Sequence, residues 1–404
     1  MEATLQSIFR TTFDDYRARH GLSMDQHKAA QAIMSCRSEA LGYEEWACPN
    51  DDHVERQPHS CRHRSCPRCQ GARSHEWLEQ IKERLLPVNH YHVVFTLPHE
   101  LNPIWHYNRR WCADRLFKAS AETLRQLLKD DRYLGAEPGL LSSLHTWGRT
   151  LIFHPHVHVL ITGGGVAEGE YREVRKDFLL PVGVLKAKFR GKWLSWLNQA
   201  YDAGELRLPE HWTEADWRKT LRRVARKPWN VRIQGAYRHG QGVAVYLSRY
   251  IRGGPIKDHR LLSADHAQVR FRYRDHHDGK EKTLALQTDQ FLSRVLWHVP
   301  SDGQHHVRYY GLYTPGGKAK RAEVWDQLGE VPKHPGPEAE PPVRQCPVCG
   351  GVLVHRCSVR REISSIRSAL VQQHAQADRE RPAWDEGRHP FHPPSFFLGR
   401  AAAP

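Results

Sequence analysis

The chain lacks any long apolar run. Nowhere in its 404 residues does an uninterrupted hydrophobic stretch approach the roughly 18–20 residues that a membrane span needs. That excludes a helical membrane protein. The first residues, MEATLQSIFRTTFDDYRARHG, carry acids and lack the apolar core of a secretory leader, so a cytoplasmic protein is expected. Cysteine is also scarce. Nine on this length are too few for a disulfide framework, and they cluster, which in a reducing compartment points to metal binding. Acids are outnumbered, with 45 Asp and Glu against 60 Lys and Arg, a net charge of +15. An excess of that size points to a polyanionic partner, most simply nucleic acid. Thirteen Trp add planes on which bases can stack. No segment repeats.

What is present reads as alternating helices and strands. Residues 1–35 are helical in spacing, with Leu5, Ile8 and Phe9 at helical intervals. SHEWLEQIKERLLPVNH reads as a helix stopped at Pro87, and HYHVVFTLP as a strand bounded by proline. NRRWCADRLFKASAETLRQLLK is a long amphipathic helix that places Cys112 in the core. LIFHPHVHVLI is a strand with GGGVAEGE as its turn, and a helix follows Pro181. WNVRIQ is a short strand, and GVAVYLSRYIRG a helix ending at Gly253-Gly254-Pro255. HAQVRFRYRD and EKTLALQ flank a hairpin turn. TDQFLSRVLWHV is a helix with Thr288 as N-cap, and HHVRYYGLYT a last strand. This pattern predicts an α+β core. The chain is expected to divide into a helical, cysteine-rich N-terminal domain that would bind zinc (1–85), a main α+β domain (86–325), a linker (326–342) and a small C-x-x-C knuckle with a loose tail (343–404).

The histidine strand is the first chemical signal. Alternate residues of a strand share a face, so His154, His156 and His158 point one way while Phe153, Val157, Val159 and Ile161 point into the core. Imidazoles two residues apart lie about 7 Å apart along the strand and reach one ion when their rings lean together. Neutral imidazole ligates many divalent metals. The second signal is VYLSRYIRG, whose Tyr246 and Tyr250 lie one helical turn apart on one face. A phenol with a pKa near 10 is a weak nucleophile, and a metal polarising a phosphate supplies what it lacks. Arg249 and Arg252 flank the pair and are suited to neutralising phosphate charge.

HPHVHVL resembles the HUH signature of single-strand DNA nicking enzymes, two histidines around one bulky hydrophobic residue. YLSRY resembles their paired-tyrosine motif, and FTLP the first motif of rolling-circle initiators. Together with SCRHRSCPRCQ, YHVVFTLP and LHTWGRTL, the chain resembles the rolling-circle insertion-sequence transposases of the two-tyrosine HUH class over roughly residues 20–325. The resemblance implies an HUH-type antiparallel sheet with flanking helices. It maps His156 and His158 onto the metal pair and Tyr246 and Tyr250 onto the nucleophiles. It implies attack on single-stranded DNA at the ends of a mobile element, a 5′-phosphotyrosine link and a free 3′-OH, with Mg²⁺ or Mn²⁺ at the histidines. A third ligand completes such a site. His154 shares the face; Arg149 stands where relatives offer a polar ligand, and cannot bind a cation; His145, Gln234 and Gln241 are further candidates.

Cys48, Cys61, Cys66 and Cys69 fall in one short segment, with Cys36 upstream, and CPRC has the spacing of a zinc knuckle. The family's first knuckle is also C-x-x-C, whereas here Asp51 stands in CPNDDH at the second cysteine's place. The expected zinc set is therefore Cys48, His53, Cys66 and Cys69, with Cys61 the next candidate, and a second set from Cys36 and Cys61 with His59 or His63. Arg62, Arg64, Arg68 and Arg73 surround the knuckle and suit backbone phosphates. CPVCGGVLVHRC offers Cys346, Cys349, His355 and Cys357 as a separate C-terminal knuckle. Two other readings compete with a transposase. A plasmid or phage replication initiator would use the same chemistry. A non-catalytic zinc-containing DNA-binding regulator would need neither the tyrosine pair nor the histidine strand. The terminal zinc module and the HTWG segment favour the transposase.

Overall fold

The computed structural model describes residues 3–175, 178–237, 241–329 and 343–360. In chain order the elements are α1 (Leu5–Arg19), α2 (Met24–Ser35), β1 (Gly42–Ala47), β2 (Val54–Pro58), α3 (Gly71–Arg84) and β3 (His90–Thr96). Next come α4 (Asn102–Tyr107), α5 (Arg109–Leu128), β4 (Glu137–Trp147), β5 (Phe153–Ala167), β6 (Glu170–Glu173), α6 (Val182–Asp202) and α7 (Glu214–Arg226). Then follow β7 (Asn230–Tyr237), α8 (Gln241–Ile251), β8 (Leu261–Ala264), β9 (Gln268–Arg274) and β10 (Glu281–Gln287). The last are α9 (Thr288–Trp297), β11 (Val307–Gly311), α10 (Lys318–Gln327) and β12 (Val354–Arg360). The fold class is α+β, with antiparallel sheets throughout.

A six-stranded antiparallel sheet in the order β11-β4-β5-β3-β7, with β6 beside β5, organises the molecule. Strand alternation divides its side chains between two faces. One face sends Val93 and Phe95 of β3, Leu140 and Leu144 of β4, and Val157, Val159 and Ile161 of β5 into a core shared with Phe117 and Leu124 of α5 and Phe189 and Trp193 of α6. The other face carries Leu141 and Leu160 against Leu78 and Ile81 of α3 and Val243, Ala244 and Leu247 of α8. Each such side chain buried contributes about 1.5–3 kcal/mol, so α8 is held over the second face by its own apolar stripe.

Two smaller sheets flank this one. β8, β9 and β10 form the expected hairpin region and pack with α1, α2 and α9 around Phe9, Phe13, Phe271 and Phe291. β1 lies between β2 and β12. The C-terminal segment expected to stand alone as a knuckle therefore completes the N-terminal sheet. The tail after residue 360 and positions 330–342 of the linker lie outside the described residues.

Two local expectations need correction. Gly163, Gly164 and Gly165 do not form the turn after the histidine strand; β5 runs through them, and the turn is at Glu168-Gly169. They are glycines because neighbouring chain presses on them: an added Cβ would meet Asn89 O at 2.9 Å, Arg172 O at 2.5 Å and Glu137 O at 2.6 Å respectively. Thr288 is the first helical residue of α9 and not its cap; its hydroxyl donates to Asp265 O instead. α7 is an element beyond those expected, and a capping box of Thr213 and Asp216 marks its start.

Candidate active site and metal centres

The histidines gather on the sheet face beneath α8. Across the β4–β5 ladder His145 stands opposite His156 and Ser143 opposite His158. One ring nitrogen from each of His145, His156 and His158 lies within 4.8 Å of the others. His154 is not in this group, although its ring centroid is 5.2 Å from that of His156. Of the expected trio, His156 and His158 converge and His154 stands apart, while the cross-strand neighbour His145 joins them. A directly paired residue on the next strand is closer than the i−2 residue on the same strand. Arg149 lies elsewhere, exposed, donating to Arg274 O at 2.9 Å.

The hydrogen bonds fix which nitrogens are free to bind. Burial depresses the pKa of His92, His145, His156 and His158, taking His156 to about 4, so each ring is neutral near pH 7 and carries one N–H. His156 Nδ1–H donates to His154 O at 2.6 Å, which leaves Nε2 as a bare lone pair. His92 Nδ1–H donates to Gln234 Oε1 at 2.8 Å, so His92 Nε2 must accept. It accepts from His158 Nδ1–H at 2.7 Å. His158 Nε2 is then also a bare lone pair, and it is buried without a hydrogen-bond partner. Buried polar atoms seldom stay unpaired; here the atom faces other imidazoles, as a metal ligand would. This donor set fits a divalent cation.

Tyr246 stands over the same histidines. Its ring centroid is 5.6 Å from that of His158 and 5.7 Å from that of His92, and the residue is 39 % exposed. Val243, Ala244 and Leu247, buried beside it, hold the helix down. Tyr250 and Arg249 lie on α8, but their side chains, like that of Gln241, fall outside the described residues. α8 ends at Gly253 and Gly254, whose φ values of +91° and +69° suit glycine. Gly253 N–H donates to Arg64 O at 2.8 Å, and a Cβ on Gly254 would meet Ser65 O at 2.7 Å. The cysteine loop thus abuts the end of the tyrosine helix.

Two family models match this chain. One, described as "Putative transposase", covers residues 139–322 and so the histidines of β4 and β5 and both tyrosines. The other, an IS91-type "Transposase zinc-binding domain", covers residues 8–97. The chain is 36 % identical over 364 residues to "Putative transposase y4qJ" of Sinorhizobium fredii (strain NBRC 101917 / NGR234), covering 85 % of this chain and 92 % of that one. It belongs to the IS91/IS801-type transposases. It is also 29 % identical over 364 residues to the "Transposase for insertion sequence element IS801" of Pseudomonas savastanoi pv. phaseolicola, covering 84 % and 85 % of the two chains. No solved structure matches it significantly.

The transposase carries two cysteine clusters, and they differ from the expected partition. Cys36, at the end of α2, joins Cys61, Cys66 and Cys69 of the following loop, with Cys61 and Cys69 Sγ 3.6 Å apart. Cys48 is not in this set. It lies with Asp51, Cys346 and Cys349. His53 contributes only backbone: its N–H donates to Asp51 Oδ1 at 2.8 Å and its carbonyl accepts from Cys48 N–H. His59 and His355 both approach Glu44 instead of a cysteine, and Cys357 is exposed in β12. Sequence spacing favours near neighbours, whereas the β1–β12 pairing brings residues three hundred positions apart to one place.

The basic residues of the cysteine loop also separate. Arg62 and Arg68 are exposed, and Arg68 bonds Gln6 Oε1. Burial, with the nearby Arg252, lowers Arg64 to about 10. Arg252 is itself lowered by burial and by Arg73. Sequence reasoning missed His92 and the structural part of Gln234. The available signal was HYH at the head of β3, a second alternating histidine pair.

Proposed function

We propose that this transposase nicks and rejoins single-stranded DNA at the ends of its element, with a tyrosine of α8 as nucleophile. The observation that carries the reading is the meeting of exposed Tyr246 with His158 and His92, on a face where His145 and His156 converge. Residues nearly ninety positions apart form one chemical centre. Tyr246 or Tyr250 attacks phosphorus; the bond to the 3′ oxygen breaks, and that oxygen leaves as a 3′-OH. The 5′ side remains as a phosphotyrosine ester, and attack by a 3′-OH reverses the step without ATP. Two tyrosines permit a second cleavage while the first ester persists.

His145, His156 and His158 would hold the cation, and His92 with Gln234 would fix the tautomer of His158. Bound there, a divalent cation supplies charge stabilisation at the scissile phosphate. Three nitrogen donors suit Mn²⁺ better than Mg²⁺, which prefers oxygen. Arg64 and Arg252, two partly buried cations side by side at the end of the tyrosine helix, suit a phosphate of the bound strand. Cys36, Cys61, Cys66 and Cys69 would hold zinc as four thiolates, and a closed centre there would fix the loop that abuts α8. A rolling-circle course of transposition is the reading that membership among the IS91/IS801-type transposases supports, and it uses the same ester chemistry. The test is incubation with single strands from the element ends and Mn²⁺. A covalent protein–DNA adduct is expected, lost in the Tyr246→Phe, Tyr250→Phe double variant. An adduct that survives that variant overturns the assignment.

A further inference from the structure

Two knuckles from opposite ends of the chain face each other at the second cysteine cluster. On one side, Cys48 N–H donates to His53 O at 2.9 Å, closing a loop that presents Cys48 and Asp51. On the other, Cys346 N–H donates to Gly351 O at 2.7 Å, and Gly350 N–H donates to Cys346 O with Gly350 at φ +75°. A Cβ on Gly351 would lie 2.8 Å from Asn50 Nδ2 and 3.3 Å from Cys349 Sγ, so the two knuckles approach closely there. Cys48 and Cys349 Sγ are 3.4 Å apart, Cys346 Sγ is 3.1 Å from Asp51 Oδ2, and all four ligand atoms lie within 4.8 Å of one another.

Each sulfur also receives a backbone N–H two residues on: Asn50 to Cys48, Val348 to Cys346 and Gly351 to Cys349, all at 3.4 Å. Such donors stabilise thiolates, the form that binds metal. Asp51 is oriented in the same way, because one carboxylate oxygen is occupied by His53 N–H and the other faces sulfur. A sulfur separation of 3.4 Å is far beyond a disulfide bond and near the edge of a tetrahedral zinc–thiolate site.

The surroundings explain why a metal is needed. Among the described residues the buried apolar cluster here is Cys48, Cys346 and Leu353, with Trp46 against it. β2 and β12, the outer strands, are almost wholly exposed. A three-stranded sheet without an apolar face does not hold itself together, and small modules of this kind rely on a metal or disulfide.

We propose that Cys48, Asp51, Cys346 and Cys349 hold one zinc ion that staples residues 343–360 onto the N-terminal module. It is separate from the ion at Cys36, Cys61, Cys66 and Cys69, and it is independent of the DNA-nicking reading. Asp51, in the position of a missing cysteine, is its fourth ligand.

The experiment counts zinc in the full-length protein by elemental mass spectrometry and follows amide hydrogen exchange in β12. Cys48→Ser and Cys346→Ser are each expected to lower the zinc count by one. The double variant is also expected to lose one and not two, because the two residues share an ion. Asp51→Cys is expected to keep the wild-type count and to resist a chelator longer, whereas Asp51→Ala gives up one ion first. Chelation of that ion is expected to speed exchange at Val354–Arg360 at least tenfold. A full count in either single cysteine variant, a loss of two ions in the pair, or exchange in β12 indifferent to chelation overturns the staple.

Discussion

The histidine centre and the Cys36 centre are built to opposite plans. The cysteine centre offers four donors from one helix end and one loop, set beside a large apolar core that includes Phe9, Phe13 and Phe291. Four thiolates complete a tetrahedral ion and leave no position for anything else. The histidine centre offers three donors from two strands, with a partly exposed phenol above them. It is incomplete as a coordination sphere, and the opening faces the helix that carries the tyrosines. A closed set holds structure, while an open set leaves room for substrate.

Substitutions that separate stability from chemistry sharpen the contrast. Cys66→Ser has the largest expected effect on folding, because structural zinc supplies on the order of 10 kcal/mol to modules of this kind. Thermal unfolding should show the N-terminal module lost or strongly destabilised, and a folded, zinc-loaded variant would break the comparison. His158→Ala should do the reverse. Nicking should fall about a thousandfold or more, the equivalent of several kcal/mol of transition-state stabilisation, with circular dichroism and salt-sensitive DNA binding nearly unchanged. Cleavage that survives both this substitution and metal removal would end the case for a metal at the histidines.

The relay beneath the open centre gives a smaller effect. Gln234→Leu removes the acceptor that commits His92, and through it His158, to their tautomers. About a 10–100-fold loss in Mn²⁺ affinity or cleavage is expected. Gln234→Glu, which retains an acceptor, should recover much of it, and metal titration distinguishes the two.

Least visible near neutral pH is an effect on acid stability. Burial holds His106 and His298 at about 3, below the ordinary 6.5. The unfolded chain takes up protons that the folded chain refuses. Stability from these two groups is therefore complete above about pH 6.5 and falls as the pH drops toward 3, by up to about 1.4 kcal/mol per pH unit for each. His298→Gln should flatten urea midpoints over that range. An unaltered slope would show that its environment does not exclude charge.

Parts of this were legible in the chain. His156 and His158 stand out because strand alternation is local, and Val157 and Val159 mark the opposite face. Tyr246 is legible for the same reason, with Val243 and Leu247 giving the period of α8. His145 was visible only as one candidate among several, since pairing across strands depends on register. The glycines after the histidine strand misled because glycine signals both turns and crowding; contacts with Asn89, Arg172 and Glu137 decide between them. The cysteines group otherwise than their spacing suggests because the pairing of Gly42–Ala47 with Val354–Arg360 brings the segments of Cys48 and Cys346 together, and no local pattern records it.

The central claim is that the tyrosine helix and the histidine face form a single centre for DNA transesterification. The most direct measurement is mass spectrometry of the protein–DNA adduct after nuclease and trypsin treatment. Trypsin separates the candidates, leaving Tyr246 in the peptide His239–Arg249 and Tyr250 in Tyr250–Arg252. A nucleotide attached through phosphate to a tyrosine of one of these peptides, formed only with His156 and His158 intact, is the expected result. Attachment to any other residue, or adduct formation undiminished in His156→Ala and His158→Ala, would contradict it.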